Sequence, residues 1–167
     1  LLKNNEHQNW GIACSGGADS VFLLLLIFAA YPQLREKITV LHYNHRLRGA
    51  DSFTDQTFVK ELSFLLNLKF KTKIGPVKMP SDEGSLRNHR RSFFTDSIAA
   101  LGGTILLQGH NLDDIAETLL WRIPRGVGVE GLCSPRPIEK FKEFWFVRPL
   151  LNQTRGEIRQ KLKKFKI

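Results

Sequence analysis

The sequence is expected to fold as an α/β domain: a doubly wound, mainly parallel five-stranded sheet with helices on both faces. Three observations carry this. Short apolar runs bounded by turn residues alternate with longer helical stretches along the chain. The most apolar segment, residues 21–30, is apolar all round, as a helix buried against a sheet is. A length of 167 residues with 42% hydrophobic and 25% charged residues suits one domain with a sizeable core.

Each element has its own signal. Residues 10–14 read as a short buried strand, 15–20 as a turn and 21–30 as the buried helix. Residues 37–43 form a second strand with Ile-Thr-Val-Leu at its heart. Asp51-Ser52 can cap a helix over about 53–66, and the alternation of 69–74 predicts a third strand. Gly75-Pro76 and Met79-Pro80 punctuate a loop, and Ser81-Asp82-Glu83 opens a helix to about 100. A fourth strand spans 104–108 and a helix about 112–122; a fifth strand spans 144–147 and a last helix 153–165. No internal repeat and no low-complexity tract interrupts the pattern.

Composition narrows the class. The longest apolar run is too short to cross a bilayer, so no membrane partner is expected. Two cysteines, Cys14 and Cys133, build neither a disulfide framework nor a Cys-rich metal site. With no secretory pattern at the first residues, a reducing cytoplasmic setting is expected. Lys and Arg number 25 against 16 Asp and Glu, a net charge of +9. Residues 121–167 hold twelve basic and four acidic side chains, so almost all of the excess lies there. That asymmetry suits a polyanionic partner, and a solvated basic face accounts for it equally well.

The strongest local signal is residues 14–20, Cys-Ser-Gly-Gly-Ala-Asp-Ser, between the first strand and the apolar helix. Paired glycines allow a sharp turn and a close backbone approach to a ligand. The N–H groups opening the next helix lack carbonyl partners and favour an anion. Ser15 and Ser20 add hydroxyls, and Asp19 can hold a divalent cation. No lysine follows the glycines, so this is not a Walker A loop. A plain strand–helix turn capped by Asp19 or Ser20 accounts for the same residues.

A second cluster, Gly109 to Thr118, follows the fourth strand, where parallel sheets bind ligands. Asp113 or Asp114 shares a helix face with Glu117, and His110 lies about a turn earlier. Neighbouring carboxylates repel unless a cation or an ammonium lies between them. Helix capping explains Asp113 and Asp114 well, and Glu117 and His110 less well. A third segment, His42 to Gly49, leaves another strand end with two His and two Arg suited to phosphate or base contacts. No third ligand accompanies His42 and His45, so no metal site is expected there. Arg87, Arg90 and Arg91 cluster on one helix and could clamp phosphates or form a solvated face. Residues 126–131 fit G-x-G-x-x-G but follow a helical segment, so they read as a loop rather than a dinucleotide fingerprint.

Together and in this order, these segments resemble the tRNA(Ile)-lysidine synthetase family of PP-loop ATP pyrophosphatases. Residues 15–20 match its SGGxDS loop, and 42–48 resemble its H-x-N-H-x-L-R segment. Glu83, Arg87 and Arg90 fall on its E-x-x-x-R-x-x-R helix, and 109–118 on its G-H-x-x-D-D-x-x-E-T segment. Arg125-Gly126, Gly128, Gly131-Leu132, residues 147–151, and Arg155 with Glu157-Ile158 continue the pattern. Asn111 stands where the family has a second histidine.

The resemblance implies an ATP-dependent ligase. It would adenylate O2 of the wobble cytidine of a minor isoleucine tRNA with a CAU anticodon, releasing pyrophosphate. The ε-amine of free L-lysine would then attack C2 as AMP leaves, forming lysidine. The implied catalytic domain spans 1–158, with 159–167 starting a linker helix toward further C-terminal domains. Ser15, Gly16, Gly17, Ala18, Asp19 and Ser20, with His42 and His45, would bind ATP, and Asp19 would hold Mg²⁺. Asp113, Asp114 and Glu117 would bind lysine. Asp19, His110, Asp114 and Glu117 would be catalytic. Arg87, Arg90, Arg122, Arg125 and Arg148 would contact tRNA or phosphate. A homodimer stays open. A carboxylate that binds an ammonium also holds its proton, so attack needs an acceptor, either His110 or one of the carboxylates. Two rivals remain: a PP-loop thiolase, which would want Cys-x-x-Cys pairs, and a basic RNA-binding module with a vestigial nucleotide loop.

Overall fold

The computed structural model describes residues 2, 5–46, 50–76, 83–125 and 135–164. Its strands are β1 (Trp10–Ala13), β2 (Ile38–Asn44), β3 (Lys69–Ile74), β4 (Ile105–Gln108), β5 (Ile138–Phe141) and β6 (Phe144–Val147). They form one sheet in the order β3-β2-β1-β4-β6-β5, parallel throughout except for the antiparallel β5–β6 pair. The helices are α1 (Ala18–Ala30), α2 (Ala50–Leu65), α3 (Glu83–Ala99), α4 (Leu112–Arg122) and α5 (Arg155–Lys164).

The side-chain alternation of the strands makes two cores. On one face Trp10, Ile12, Ile38, Val40, Ile105 and Leu107 pack with α1, with Val59 of α2 and with Ile158 and Leu162 of α5. On the other, Leu41, Tyr43, Leu106, Phe144 and Phe146 pack with Phe93, Phe94 and Ile98 of α3. Strands covered on both faces are apolar at nearly every position, which is why β1, β2 and β4 read as continuous hydrophobic runs. A Cβ on Gly11 would stand 2.9 Å from the Ile98 side chain, so α3 lies directly against β1. Among the described residues, no helix is long and apolar enough to cross a membrane.

The sheet has six strands where five were expected. The added strand, Ile-Glu-Lys-Phe, has half of its residues exposed and only four residues of pattern. It exists because β6 offers it an antiparallel edge across a two-residue link, in which Lys142 takes φ +55°. Helix α1 begins at Ala18 and α2 at Ala50, each three residues earlier than expected, and a 3₁₀ turn (Pro32–Lys37) joins α1 to β2. The expected start of α3 at Ser81 and the G-x-G-x-x-G loop at 126–131 lie outside the described residues.

The topology fixes where a ligand can sit. The chain runs outward from β1 through β2 to β3, then returns to lay β4 on the other side of β1. Crossovers leave β1 and β4 in divergent directions, and the crevice between their carboxyl ends is the switch point where such sheets bind ligands.

Leu107 is fully buried in this core, whereas Phe64 on α2 is 84% exposed. Urea unfolding should show Leu107→Ala losing about 2–5 kcal/mol and Phe64→Ala changing by no more than about 0.5 kcal/mol.

Candidate active site

The loop after β1 is knitted around one hydroxyl. Ser20 Oγ donates to the Gly17 carbonyl at 2.8 Å and accepts the Ser15 N–H at 3.1 Å. The Cys14 thiol and the Ser15 hydroxyl both lie against Ser20 Oγ. Ser20 is buried and thus holds the loop's shape, while Ser15 is the exposed hydroxyl of the pair. Gly17 is the N-cap of α1 without a side-chain cap, so neither Asp19 nor Ser20 caps the helix. Gly16 takes φ +95°, a conformation costly for any residue with a Cβ, and lies against Asp55. The N–H groups of Ala18, Asp19 and Ser20 then open α1 without carbonyls of their own to bond.

Beside this loop runs the β4–α4 connection, which approaches it as closely as backbone permits. A Cβ on Gly109 would stand 3.0 Å from both the Asp19 carbonyl oxygen and Ser20 Cα. The resulting cavity of about 220 Å³ is lined on this side by Ser15, Gly17, Asp19, Gln108 and His110. Tyr43, His45, Arg90 and Phe94 line the opposite wall. Asp19 Oδ1 and Gln108 Oε1 are buried there with no hydrogen-bond partner among the described groups. Buried acceptors left bare in this way fit a ligand or cation. Burial and the nearby Asp114 raise the Asp19 pKa, against the pull of Arg155 and the Asn111 amide. The described residues contain no group of three or more His, Cys, Asp or Glu able to hold a metal. A cation here would rest on Asp19 plus oxygens of a bound phosphate chain, the manner in which Mg²⁺ commonly binds.

Helix α4 opens on a capping box: Asn111 Oδ1 accepts from Asp114 N at 3.0 Å and Asp114 Oδ2 from Asn111 N at 2.9 Å. Asn111 is fully buried in this role. Arg155, the first residue of α5, faces the carboxylates. Its guanidinium reaches Glu117 Oε1 at 3.0 Å, Asp114 Oδ1 at 3.1 Å and Asp19 Oδ2 at 3.9 Å. Its backbone N–H donates to Asp113 Oδ2 at 2.7 Å, so Asp113 anchors the start of α5. One cation therefore ties the loop aspartate to the acidic helix.

His110 sits in the wall between this cavity and a smaller one of about 30 Å³ lined by Arg87, Arg90, Arg91 and Arg148. Arg148 is buried; its Nε donates to His110 Nδ1 at 3.2 Å, and its other nitrogens reach Arg136 O and Glu139 Oε2, both at 2.8 Å. Glu139 also pairs with Arg91 at 2.8 Å, and both arginines hold its carboxyl below the usual range against its burial. A guanidinium can only donate, so His110 Nδ1 is unprotonated and the ring proton is on Nε2. Burial and the Arg148 charge press the His110 pKa down to about 4.

The sequence-derived residues divide into those this crevice gathers and those it does not. The cavity gathers Ser15, Gly17, Asp19, Ser20 and His110, with His45 on the far wall, whereas Asp114 and Glu117 lie outside its lining and join the group through Arg155. His42 is buried behind the loop. Its Nδ1 donates to the Cys14 carbonyl at 2.9 Å, and its Nε2 faces an adjoining cavity shared with Ser15, His45 and Asp55. Arg87 and Arg90 line the arginine cavity, while Arg148 lies behind His110. Arg122 ends α4 and lines neither cavity; the Arg125 side chain and Cys133 lie outside the described residues. Gln108, Glu139 and the role of Arg155 were missed. A polar residue ending an otherwise apolar strand was the legible signal for Gln108; nothing local marks the other two.

A family model described as a PP-loop domain matches residues 1–167. The chain belongs to the PP-loop domain family. This PP-loop domain is 39% identical over 153 residues to a tRNA(Ile)-lysidine synthase of Geobacter sulfurreducens, a match covering 88% of the chain and 32% of that protein. It is 36% identical over 152 residues to one of Symbiobacterium thermophilum, with the same coverage. The chain thus spans about a third of the length of these curated relatives. The fold is shared with a solved U34-tRNA thiolase from Methanococcus maripaludis: TM-score 0.77, 16% identity, 97% of this chain and 57% of that one. It is also shared with an NH3-dependent NAD synthetase from Campylobacter jejuni: TM-score 0.62, 18% identity, 99% of this chain and 67% of that one. The family uses ATP.

Two outcomes follow from this geometry. Gly109→Ala should weaken Mg·ATP binding about tenfold or more by calorimetry, since its Cβ forces the two connections apart at a cost of about 1–3 kcal/mol. In the unfolded chain His110 titrates near 6.5, and in the fold about 4. Between those values only the unfolded chain takes up the proton, so stability falls as pH drops through that window and is full above it. The loss is about 3 kcal/mol at most, and denaturant titrations across pH should show it reduced in His110→Gln.

Proposed function

We propose that this domain activates a cytidine of an isoleucine tRNA with ATP and joins free lysine to it, forming lysidine. The observation that carries this is that Arg155 joins Asp19 of the loop after β1 to Asp114 and Glu117 of α4, beside the cavity lined by Ser15, Gly17 and His110. The relatives' name, tRNA(Ile)-lysidine synthase, supports the substrate assignment.

The parts divide the work. The N–H groups opening α1 and the turn at Gly16-Gly17 receive the pyrophosphate, whose charge grows as it leaves. Asp19 would hold Mg²⁺, which when bound offsets that charge. Gln108 and the aromatic wall of Tyr43 and Phe94 flank the cavity into which an unstacked base must enter. His110, neutral with its proton on Nε2, serves as a hydrogen-bond donor toward an anionic oxygen, because Arg148 occupies the lone pair that a base would need. The amine proton therefore goes to a carboxylate. Glu117 is the most exposed of the group, with 62% of its side chain accessible, and can pass the proton on to solvent. An incoming ammonium must share or replace the Arg155 guanidinium on Asp114 and Glu117. The arginines of α3 supply positive charge beside the reacting phosphate.

The decisive assay supplies ATP, labelled lysine and tRNA together. Label should enter the RNA only with all three present, and failure of incorporation despite tRNA and ATP binding overturns the proposal. Asp19→Asn should lower ATP–pyrophosphate exchange by on the order of 10²-fold or more while tRNA affinity changes little. Unchanged exchange removes Asp19 from the chemistry.

A further inference from the structure

Away from the crevice, β3 is the outer edge of the sheet and carries Lys69, Lys71 and Lys73 at every second position. Alternation puts the three on one face of the strand. Phe70, on the other face, packs into the core beneath α1 and α2. The face opposite is the one that α3 covers further in, where it packs on β1, β2 and β4. The lysine face of β3 is thus the outer margin of that side, with Lys69 and Lys73 exposed. No ion pair engages any of the three among the described residues.

The row has a direction. In the parallel register Lys69 lies beside Thr39, Lys71 beside Leu41 and Lys73 beside Tyr43. Tyr43 packs against His45 with ring centroids 4.7 Å apart, and both line the nucleotide cavity. The lysines therefore climb the sheet edge, and Lys73 ends beside Tyr43, a residue that lines the cavity. Their step of about 6.6 Å, two residues of a parallel strand, is comparable to the separation of successive phosphates on a nucleic-acid strand. Lysine on an edge strand also prevents strand-to-strand pairing. That role requires charge of either sign, whereas phosphate binding requires positive charge.

We infer that Lys69, Lys71 and Lys73 form a docking rail for the sugar–phosphate backbone of the tRNA whose base enters the cavity. The inference rests on the function proposed above. Contacts of this kind set register and add affinity without reading sequence.

The test is tRNA binding by this chain, measured by anisotropy over a range of salt. The variant K69E/K71E/K73E keeps the edge charged against pairing and removes the rail. It should bind at least about tenfold more weakly, with the log affinity–log salt slope reduced by about 2–3. Mg·ATP affinity and thermal melting should be unchanged. K69Q/K71Q/K73Q should lie between it and the wild type, which keeps the result readable if the charge reversal impairs folding. Lys71→Glu should weaken binding more than Lys60→Glu, an equal change of charge at an exposed position on α2. Equal effects of those two, or an unchanged slope in both triple variants, overturn the rail alone. Failure of the wild-type chain to bind tRNA at low salt overturns the rail together with the RNA reading on which it rests.

Discussion

The contact on which the site depends is backbone against backbone: the β4–α4 connection at Gly109 lying on the first turn of α1. A Cβ there would press on the backbone of Asp19 and Ser20, so the loop after β1 and the helix that presents carboxylates are held in close contact. Parallel pairing of β1 with β4 brings the two connections to the same edge of the sheet. The glycine lets them touch. Gly16 serves a related end on the loop itself, where φ +95° lets the chain turn while lying against Asp55.

Arg155 converts that proximity into an electrostatic unit. Asp19, Asp114 and Glu117 would repel one another if left together, and desolvation raises the Asp19 pKa further. A single guanidinium across all three offsets that repulsion and orients them while staying partly open to solvent. Because Arg155 begins α5 and its N–H is bound by Asp113, the placement of that cation is set by how α5 docks on α1 and by that one bond to α4. The same economy appears around His110, where buried Arg148, held by the half-buried Glu139 and through it by Arg91, fixes a tautomer by hydrogen bonding. Partly buried ion pairs of this kind add little net stability and much geometric definition.

The basic residues have divided roles. Arg148 and Arg155 belong to the charge excess of residues 121–167, yet both are committed to internal partners. Lys140 and Lys161 lie over the rings of Trp145 and Phe22. A net positive segment is thus partly a structural device, and further positive charge lies well outside that segment, on α3 and β3.

By itself the sequence determined the order of the helices and of five of the six strands, the parallel character of the sheet, the glycine turn after β1 and the acidic start of α4. Each depends on neighbours within a few residues: alternation along a strand, glycines in a turn, capping groups in a first turn. Even there, Asn111 rather than an aspartate proved to be the N-cap. What only the tertiary structure decided was every relation between distant segments. The sixth strand required β6 beside it; its own four residues are half polar and half exposed. The meeting of Asp19 with Asp114 and Glu117 required β1 and β4 to be neighbours, and their joining required an arginine 38 residues beyond Glu117. The protonation of His110 was set by an arginine equally far along the chain. Local patterns follow from short-range sterics and hydrogen bonding, whereas charges, tautomers and cavities follow from which segments the folded core presses together.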